Sequence, residues 1–426
     1  TMEVKKNTVV LRLLIWFVAI LLFHSSRLWG QEGEGSARYR FKGFVDTYHA
    51  VRSSSPFDFM SSRTRVRGEL ERSFGNSKVA VSVNATYNAL LKDETGLRLR
   101  EAFFEHQEEH WGLRLGRQIV IWGAADGVRI TDLISPMDMT EFLAQDYDDI
   151  RMPVNALRFS VFNESMKVEV VVLPVFEGYR LPVDPRNPWN IFSLSPIAQG
   201  MNIVWKEEAG KPAFKVANIE YGARWSTTLS GIDFALAALH TWNKMPVIEV
   251  QGIVPTEIIV SPRYYRMGFV GGDLSVPVGQ FVFRGEAAFN IDKHFTYKSH
   301  AEQEGFQTIN WLAGADWYAP GEWMISGQFS MESIFRYRDF ISQRQHSTLI
   351  TLNVSKKFFG STLQLSDFTY YDLTGKGWFS RFAADYALND QIHLMAGYDW
   401  FSSKGSGIFD RYKDNSELWF KARYSF

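Results

Sequence analysis

The strongest constraint on this chain is a period of two in polarity that runs from about residue 38 to the last residue. In 279–291, Phe281, Phe283, Gly285, Ala287, Phe289 and Ile291 share one face, and Gln280, Arg284, Glu286 and Asn290 the other. In 218–228, Ile219, Tyr221, Ala223 and Trp225 alternate with Asn218, Glu220, Arg224 and Ser226. In 322–336, Trp323, Ile325, Phe329, Met331 and Phe335 alternate with Glu322, Ser326, Gln328, Glu332 and Arg336. Successive side chains of a strand point to opposite faces, so each segment predicts a strand with one apolar and one strongly polar side. A wall between lipid and water needs that arrangement. A soluble antiparallel sandwich also alternates, but its strands typically run about five or six residues. The alternating stretches here are roughly twice as long.

The connections carry the second signal. Short turns are expected near Gly75-Asn76, Glu108-Glu109, Asn163-Glu164, Ser230-Gly231, Pro277, Pro320-Gly321, Phe359-Gly360 and Asn389-Asp390. Longer loops are expected near 53–62, 92–97, 122–153, 177–217, 244–263, 292–307, 337–345, 374–377 and 403–414. Short turns at one end and longer loops at the other are the transmembrane barrel pattern. The expectation is an all-β, antiparallel transmembrane β-barrel of about 18 strands, with 16 as the other even count, over residues 38–426. The bacterial outer membrane is the expected location. Outer-membrane lipids and the barrel assembly machinery are the expected partners.

Composition agrees. The 34 Phe, 17 Tyr and 14 Trp suit aromatic girdles at two membrane interfaces. Only one long apolar run exists, at the N-terminus, so a bundle of membrane helices is excluded. The net charge of −1 argues against a nucleic-acid partner. With no cysteine, disulfides, thiolate metal sites and thiol nucleophiles drop out. Lys5, Lys6 and Arg12 precede the apolar run Leu13–Phe23, and small and polar residues follow to Gly30. This reads as a signal peptide over 1–30, with an N-terminal extension over 31–37.

At the other end, Leu418, Phe420, Ala422, Tyr424 and Phe426 alternate with Glu417, Trp419, Lys421, Arg423 and Ser425. The segment resembles the terminal strand that the assembly machinery reads, with Tyr424 and Phe426 as the signal.

Two features carry functional expectations. The first is the 122–153 segment, rich in alternating Arg and Asp. Arg117, Arg129 and Arg151 can pair with Asp126, Asp132 and Asp149 as planar forks. Such pairs would fold the loop inward as a constriction bearing Trp122 and Asp138, held by Arg117 and Arg151, with a short helix over 137–145 after Pro136. The second is a basic ladder. Arg63, Arg65 and Arg67 share one strand face beside Arg38, Arg40 and Lys42 on the preceding strand. Their opposite faces are apolar, so the ladder is expected to face the lumen, where it either attracts anions or balances lumen acids such as Glu69, Glu71 and Glu101.

Catalytic motifs are absent. His106 and His110 are four apart, but Gln107 stands where a zinc protease needs Glu. No nucleophile elbow, phosphate loop or dinucleotide fingerprint occurs. The expectation is a protein that is not an enzyme and that carries neither cofactor nor metal.

The run Gly116-Arg117-Gln118, Trp122-Gly123, Ala125-Asp126-Gly127, Arg129, Asp132, Pro136, Asp138, Asp149, Arg151 and Pro153 resembles a family of outer-membrane barrels known only as a domain of unknown function. Glu220-Tyr221-Gly222, Arg224 and Trp225 are also similar to it. Genes of that family often lie beside exporters of the resistance-nodulation-division type. The resemblance therefore implies movement of hydrophobic molecules to or across the outer membrane, with an inner-membrane exporter as a partner. Three functions follow as expectations. A wide lumen of mixed charge would favour a porin-like channel for small solutes gated by the 122–153 loop. An apolar path or a lateral opening would favour an exporter's partner. A buried Ser, His and acid within hydrogen-bond reach would favour an enzymatic barrel, with a non-transporting surface barrel in the same class.

Overall fold

A computed structural model describes residues 38–125, 127–145, 147–192, 201–298 and 303–426. The expected signal peptide, the 31–37 extension and Asp126 lie outside the described residues. Strands β1 (Arg38–Arg52), β2 (Phe59–Phe74), β3 (Ser77–Asn88), β4 (Gly96–Gln107) and β5 (Trp111–Gln118) open the sheet. They are followed by β6 (Val154–Phe162), β7 (Met166–Leu173), β8 (Asn202–Trp205), β9 (Glu220–Leu229) and β10 (Ile232–Trp242). Next come β11 (Val247–Val254), β12 (Glu257–Arg263), β13 (Arg266–Val278), β14 (Phe281–Lys293) and β15 (Phe306–Ala319). The chain ends with β16 (Trp323–Ile334), β17 (His346–Phe358), β18 (Leu363–Asp372), β19 (Gly377–Ala387), β20 (Ile392–Ser403) and β21 (Glu417–Ser425).

Eighteen of these strands form one antiparallel sheet, and β1 closes it by pairing with both β2 and β21. The closing register puts Phe44 opposite Ser425 and Arg52 opposite Glu417. Phe426 extends the seam: its amide donates to the Gly43 carbonyl, the Gly43 amide donates to the Phe426 carbonyl, and its ring stacks on Phe41 at 5.6 Å. Closure removes the free edges that lipid cannot hydrate.

Strand count and polarity match the alternation. On β14 the exposed Phe281, Phe283 and Phe289 point outward, while Glu286, Ala288 and Asn290 are buried inside. Lipid-facing aromatics gather at the two ends. Phe281, Trp317 and Trp323 are exposed at the short-turn end. At the long-loop end Trp378 meets Trp400 edge-on at 5.2 Å. Interfacial rings of this kind hold a barrel at the headgroup level.

The short turns fall where expected, with one shift. Pro277 lies inside β13, opposite Val282, and the turn is made by Gly279 and Gln280. The reason is geometric: Gly279 takes φ +59, which proline's ring forbids. At the β9–β10 hairpin Ser230 and Gly231 both have positive φ (51 and 81), the twist that a two-residue hairpin needs.

The three remaining strands lie in the outer loops. β11 and β12 form a hairpin, and β8 from the preceding loop joins β12 in parallel, with Glu257 opposite Asn202.

The expected short helix over 137–145 does not form. Met137 and Asp138 instead make isolated bridges to Arg151 and Arg180, and Phe142 takes φ +48. The 137–139 backbone is drawn into these cross-links, so it is not free for helical bonding. One helical turn appears later, at Tyr147–Ile150.

A charge on the lipid face should be costly in mid-strand. Leu236→Arg, outward and half exposed near the centre of β10, is expected to destabilise the barrel by about 2–4 kcal/mol. Urea unfolding of the barrel refolded into vesicles measures this.

Candidate functional site: the inward loop and the arginine cavity

The 119–153 segment between β5 and β6 turns into the barrel because the inner wall is built to receive it. Val120, Trp122, Ile130 and Ile134 are buried against Ala237, Leu239, Phe269, Ala288 and Leu312 on the inner faces of β10 and β13–β15. Phe142 and Ala144 enter a second cluster with Tyr48, Trp189, Phe379, Phe401, Phe409 and Tyr412. The Phe142 ring lies 4.4 Å from Tyr412. These apolar patches interrupt the polar inner wall, and the loop covers them.

Polar anchors fix the register. The Glu286 carboxylate accepts from the amides of Ala125 (2.7 Å) and Thr131 (3.1 Å), from the Thr131 hydroxyl (2.9 Å) and from the Ala124 amide (2.5 Å). The Trp122 indole donates to Glu169 at 3.0 Å. Within the loop, Asp132 is the knot. Arg151 and Arg129 approach its carboxylate at 3.2 and 3.5 Å, and the Trp122 amide donates to it. Arg129 also donates to the Asp132 and Ser135 carbonyls.

Asp149 reaches the opposite wall. It sits between Arg65 at 2.8 Å and Arg67 at 2.9 Å, and Arg65 continues to Asp46 on β1 at 2.7 Å. Glu141 pairs with Arg63 at 3.3 Å and accepts from the Ser61 hydroxyl. The upper half of the basic ladder is therefore the socket for the loop's acids. The lower half is separate. Arg40 lies 3.6 Å from Glu71 and Lys42 3.1 Å from Glu69, both cations more than half exposed, and Arg38 sits beyond them at the exposed start of β1. Asp138 pairs with Arg180 of the loop after β7 at 3.1 Å.

Arg117 departs from the expected role. It does not hold the loop. By alternation with Leu115 it lies on the outer side of β5, where it pairs with Glu177 at 3.2 Å and donates to the Leu99 carbonyl at 3.3 Å. A positive φ at Gly116 accompanies close approach to Ala102, where an added Cβ would meet the Ala102 carbonyl. His106 donates to or accepts from Ser77 and lies 3.0 Å from Glu108, at the β4–β5 turn. Tyr424 faces outward in register with Val45.

Between the loop and β2–β4 lies a cavity of about 630 Å³. Arg63, Arg65, Arg98, Arg100, Arg117, Arg151 and Arg180 line it, against Glu94, Asp138, Glu141 and Asp149. Seven arginines face four carboxylates in the lining, while Glu177, Asp132 and Asp46 pair with Arg117, Arg151 and Arg65 from outside it. Asn84, Thr86 and Asn88 complete a polar floor. Arg98 and Arg100 went unnoticed in the sequence, although they alternate with Leu97 and Leu99 by the same rule that revealed Arg63–Arg67. Arg180 and Glu94 come from separate outer loops and have no sequence signature.

Burial alone would raise the Asp149 carboxyl, but the Arg65 and Arg67 guanidiniums outweigh it and hold the group well below the usual carboxylate range. At Arg180 burial favours loss of the proton, yet Asp138 and Glu94 keep it firmly charged.

Two outcomes follow. A carboxylate held low in the folded state stabilises at all pH above its ordinary range and is lost only as pH falls through the depressed value. Loop anchoring by Asp149, and with it single-channel conductance, is expected to stay level from pH 8 down to about 4, the ordinary range of an Asp carboxyl. Asp149→Asn leaves Arg67 without its carboxylate partner. Removing one side of a buried pair costs about 3–5 kcal/mol, so the Asp149 end of the loop should leave the β2 wall and conductance should change; an unaltered conductance in the folded variant would contradict the anchor.

No curated protein matches the chain by sequence. Solved structures do match its fold. OccD3 of Pseudomonas aeruginosa superposes with a TM-score of 0.53 at 8% identity, covering 93% of this chain and 94% of that one. OccAB1 of Acinetobacter baumannii gives 0.53 at 9% identity, covering 93% and 99%. The Pseudomonas aeruginosa outer membrane protein OpdK, in a structure with vanillate, gives 0.52 at 7% identity, covering 91% and 98%. By sequence, the profile of DUF1302, a family of proteins of unknown function, matches residues 31–426, and the chain belongs to that family.

Proposed function

We propose that this protein is a passive outer-membrane channel, narrowed by the 119–153 loop, that prefers small anions. The observation that carries the reading is the excess of arginine around the lumen cavity. An inward loop anchored on the wall narrows the path, and positive charge beside it raises the local concentration of anions. The four cavity acids are tied to arginines: Asp149 to Arg65 and Arg67, Glu141 to Arg63, Asp138 to Arg180, and Glu94 to Arg98 and Arg180. They hold the scaffold and cancel part of its charge, so the field is that of the arginines in excess of them. OpdK, which shares the fold, has been solved with vanillate, an aromatic carboxylate. That supports a small carboxylate as the first solute to test. Tyr424 and Phe426, at the closing seam, serve in the same reading as the assembly signal.

Planar-bilayer recordings across a salt gradient test it. The wild-type barrel is expected to open in steady steps with a reversal potential on the anion side. Two unit charges at about 8 Å in water interact by about 0.5 kcal/mol, roughly twofold in relative permeability per charge. The effect is inverse for cations, so Arg98→Gln with Arg100→Gln should lower the anion-to-cation ratio by roughly fourfold for each charge removed, less as salt screens it. A cation-selective or silent wild-type barrel would overturn the reading.

A further inference from the structure

The barrel wall has a side opening behind which the arginine cavity lies. β4 pairs with β3 from Gly96 to His106, but with β5 only from Ala102 down. β5 ends at Gln118, where the chain turns inward, so the β5-side edge of Gly96–Glu101 has no strand partner among the described residues. Six residues of edge amount to about 20 Å of strand. Along β4, Glu101 lies six residues and Gly96 eleven residues from Gln107 at the short-turn end. At about 3.3 Å per residue and a tilt near 40°, the edge spans roughly 15–28 Å above that end, largely within an apolar band about 25 Å tall. A strand edge in hydrocarbon is tolerated only where it is covered or lines a water-filled space.

The cavity meets this edge from behind. Leu99 and Arg117, both on the outer face by alternation, line the same space as the inward-facing Arg65, Asn84 and Arg98. A cavity lined by residues of both faces reaches the unpaired edge of β4. Its outer lip is apolar: Leu97 and Leu99 are 69% and 47% exposed. Its lower lip is Arg117, which caps the Leu99 carbonyl. Above it, Arg180 ties Glu94, which precedes β4, to the loop that follows β7.

From this geometry we infer that the slot between β4 and β5 is a lateral site for a single-chain anionic amphiphile, a carboxylate on a linear apolar tail. The head occupies the arginine cavity, and the tail passes Leu97 and Leu99 into the outer leaflet. β6 also stops at this height, with Val154 opposite Gln118, so the opening is a step in the wall along which a linear hydrocarbon chain can lie. The inference rests on the cavity being an anion site, as proposed above, and adds a second exit from it.

The test uses dodecanoate carrying a diazirine on its terminal carbon, irradiated with the full barrel in phosphatidylcholine vesicles and mapped by peptide mass spectrometry. Label is expected on Leu97 and Leu99, displaced by excess dodecanoate and not by dodecanol. Leu97→Trp, at the outer lip and outside the cavity lining, should abolish the label on Leu99 while leaving anion selectivity and conductance unchanged. Label spread equally over remote outward residues such as Leu418 and Phe420, without displacement by dodecanoate, would overturn the lateral site with the channel reading intact. So would label on Leu99 that survives in Leu97→Trp. Loss of conductance in Leu97→Trp would also count against it, since the residue would then belong to the main path. Loss of anion selectivity in the wild-type barrel would instead remove the channel reading.

Discussion

Backbone amides and carbonyls cannot be left bare in hydrocarbon, and the rest of this fold follows from how that demand is met. Eighteen strands satisfy it by closing β1 on β21, with Phe426 adding a last pair of bonds to Gly43. The period of two follows from closure, because each strand then has one lipid side and one enclosed side. The short β5 and the inward turn at Ile119 are where the demand is met differently. There the Leu99 carbonyl accepts from a guanidinium and Glu101 accepts from the Ile119 amide.

The inward loop is expensive to order. Fixing the 35 residues from 119 to 153 costs on the order of 35–70 kcal/mol in conformational entropy. The ion pairs that first draw notice cannot offset this, since buried pairs roughly break even against their desolvation. The two apolar clusters and the backbone bonds gathered by Glu286 and Asp132 supply most of the stabilisation. Asp149, Arg65 and Arg67 decide where the loop docks more than whether it does. This division explains why apolar residues occur on an inner wall that alternation alone marks as polar: Phe269, Ala288 and Leu312 are the seat for Trp122 and Ile130.

The barrel was legible in the sequence because alternation reports a property of each strand by itself. Strand number, the nine outer loops and the inward face of Arg63–Arg67 could be read that way. The site was legible only in part. The excess of Arg and Asp in 122–153 identified the loop that enters, but the pairing partners come from elsewhere in the chain. Asp149 finds Arg65, 84 residues away, and Asp138 finds Arg180, in a different outer loop. Arg117 looked like an anchor because it precedes the loop, yet a single step in strand phase places it on the outer face. Pro277 misled for a related reason: proline signals turns in general, and Gly279 meets the positive φ that this turn requires.

The small sheet outside the membrane has a consequence for how the surface can change. β8 comes from the loop after β7, and β11 and β12 come from the loop after β10, yet they share one set of backbone bonds. Neither loop is a self-contained module. An insertion or exchange in one strips a strand from the other, so the two loops must diversify as a pair. Loop grafting between barrels of this type would have to move both segments together to carry either one intact.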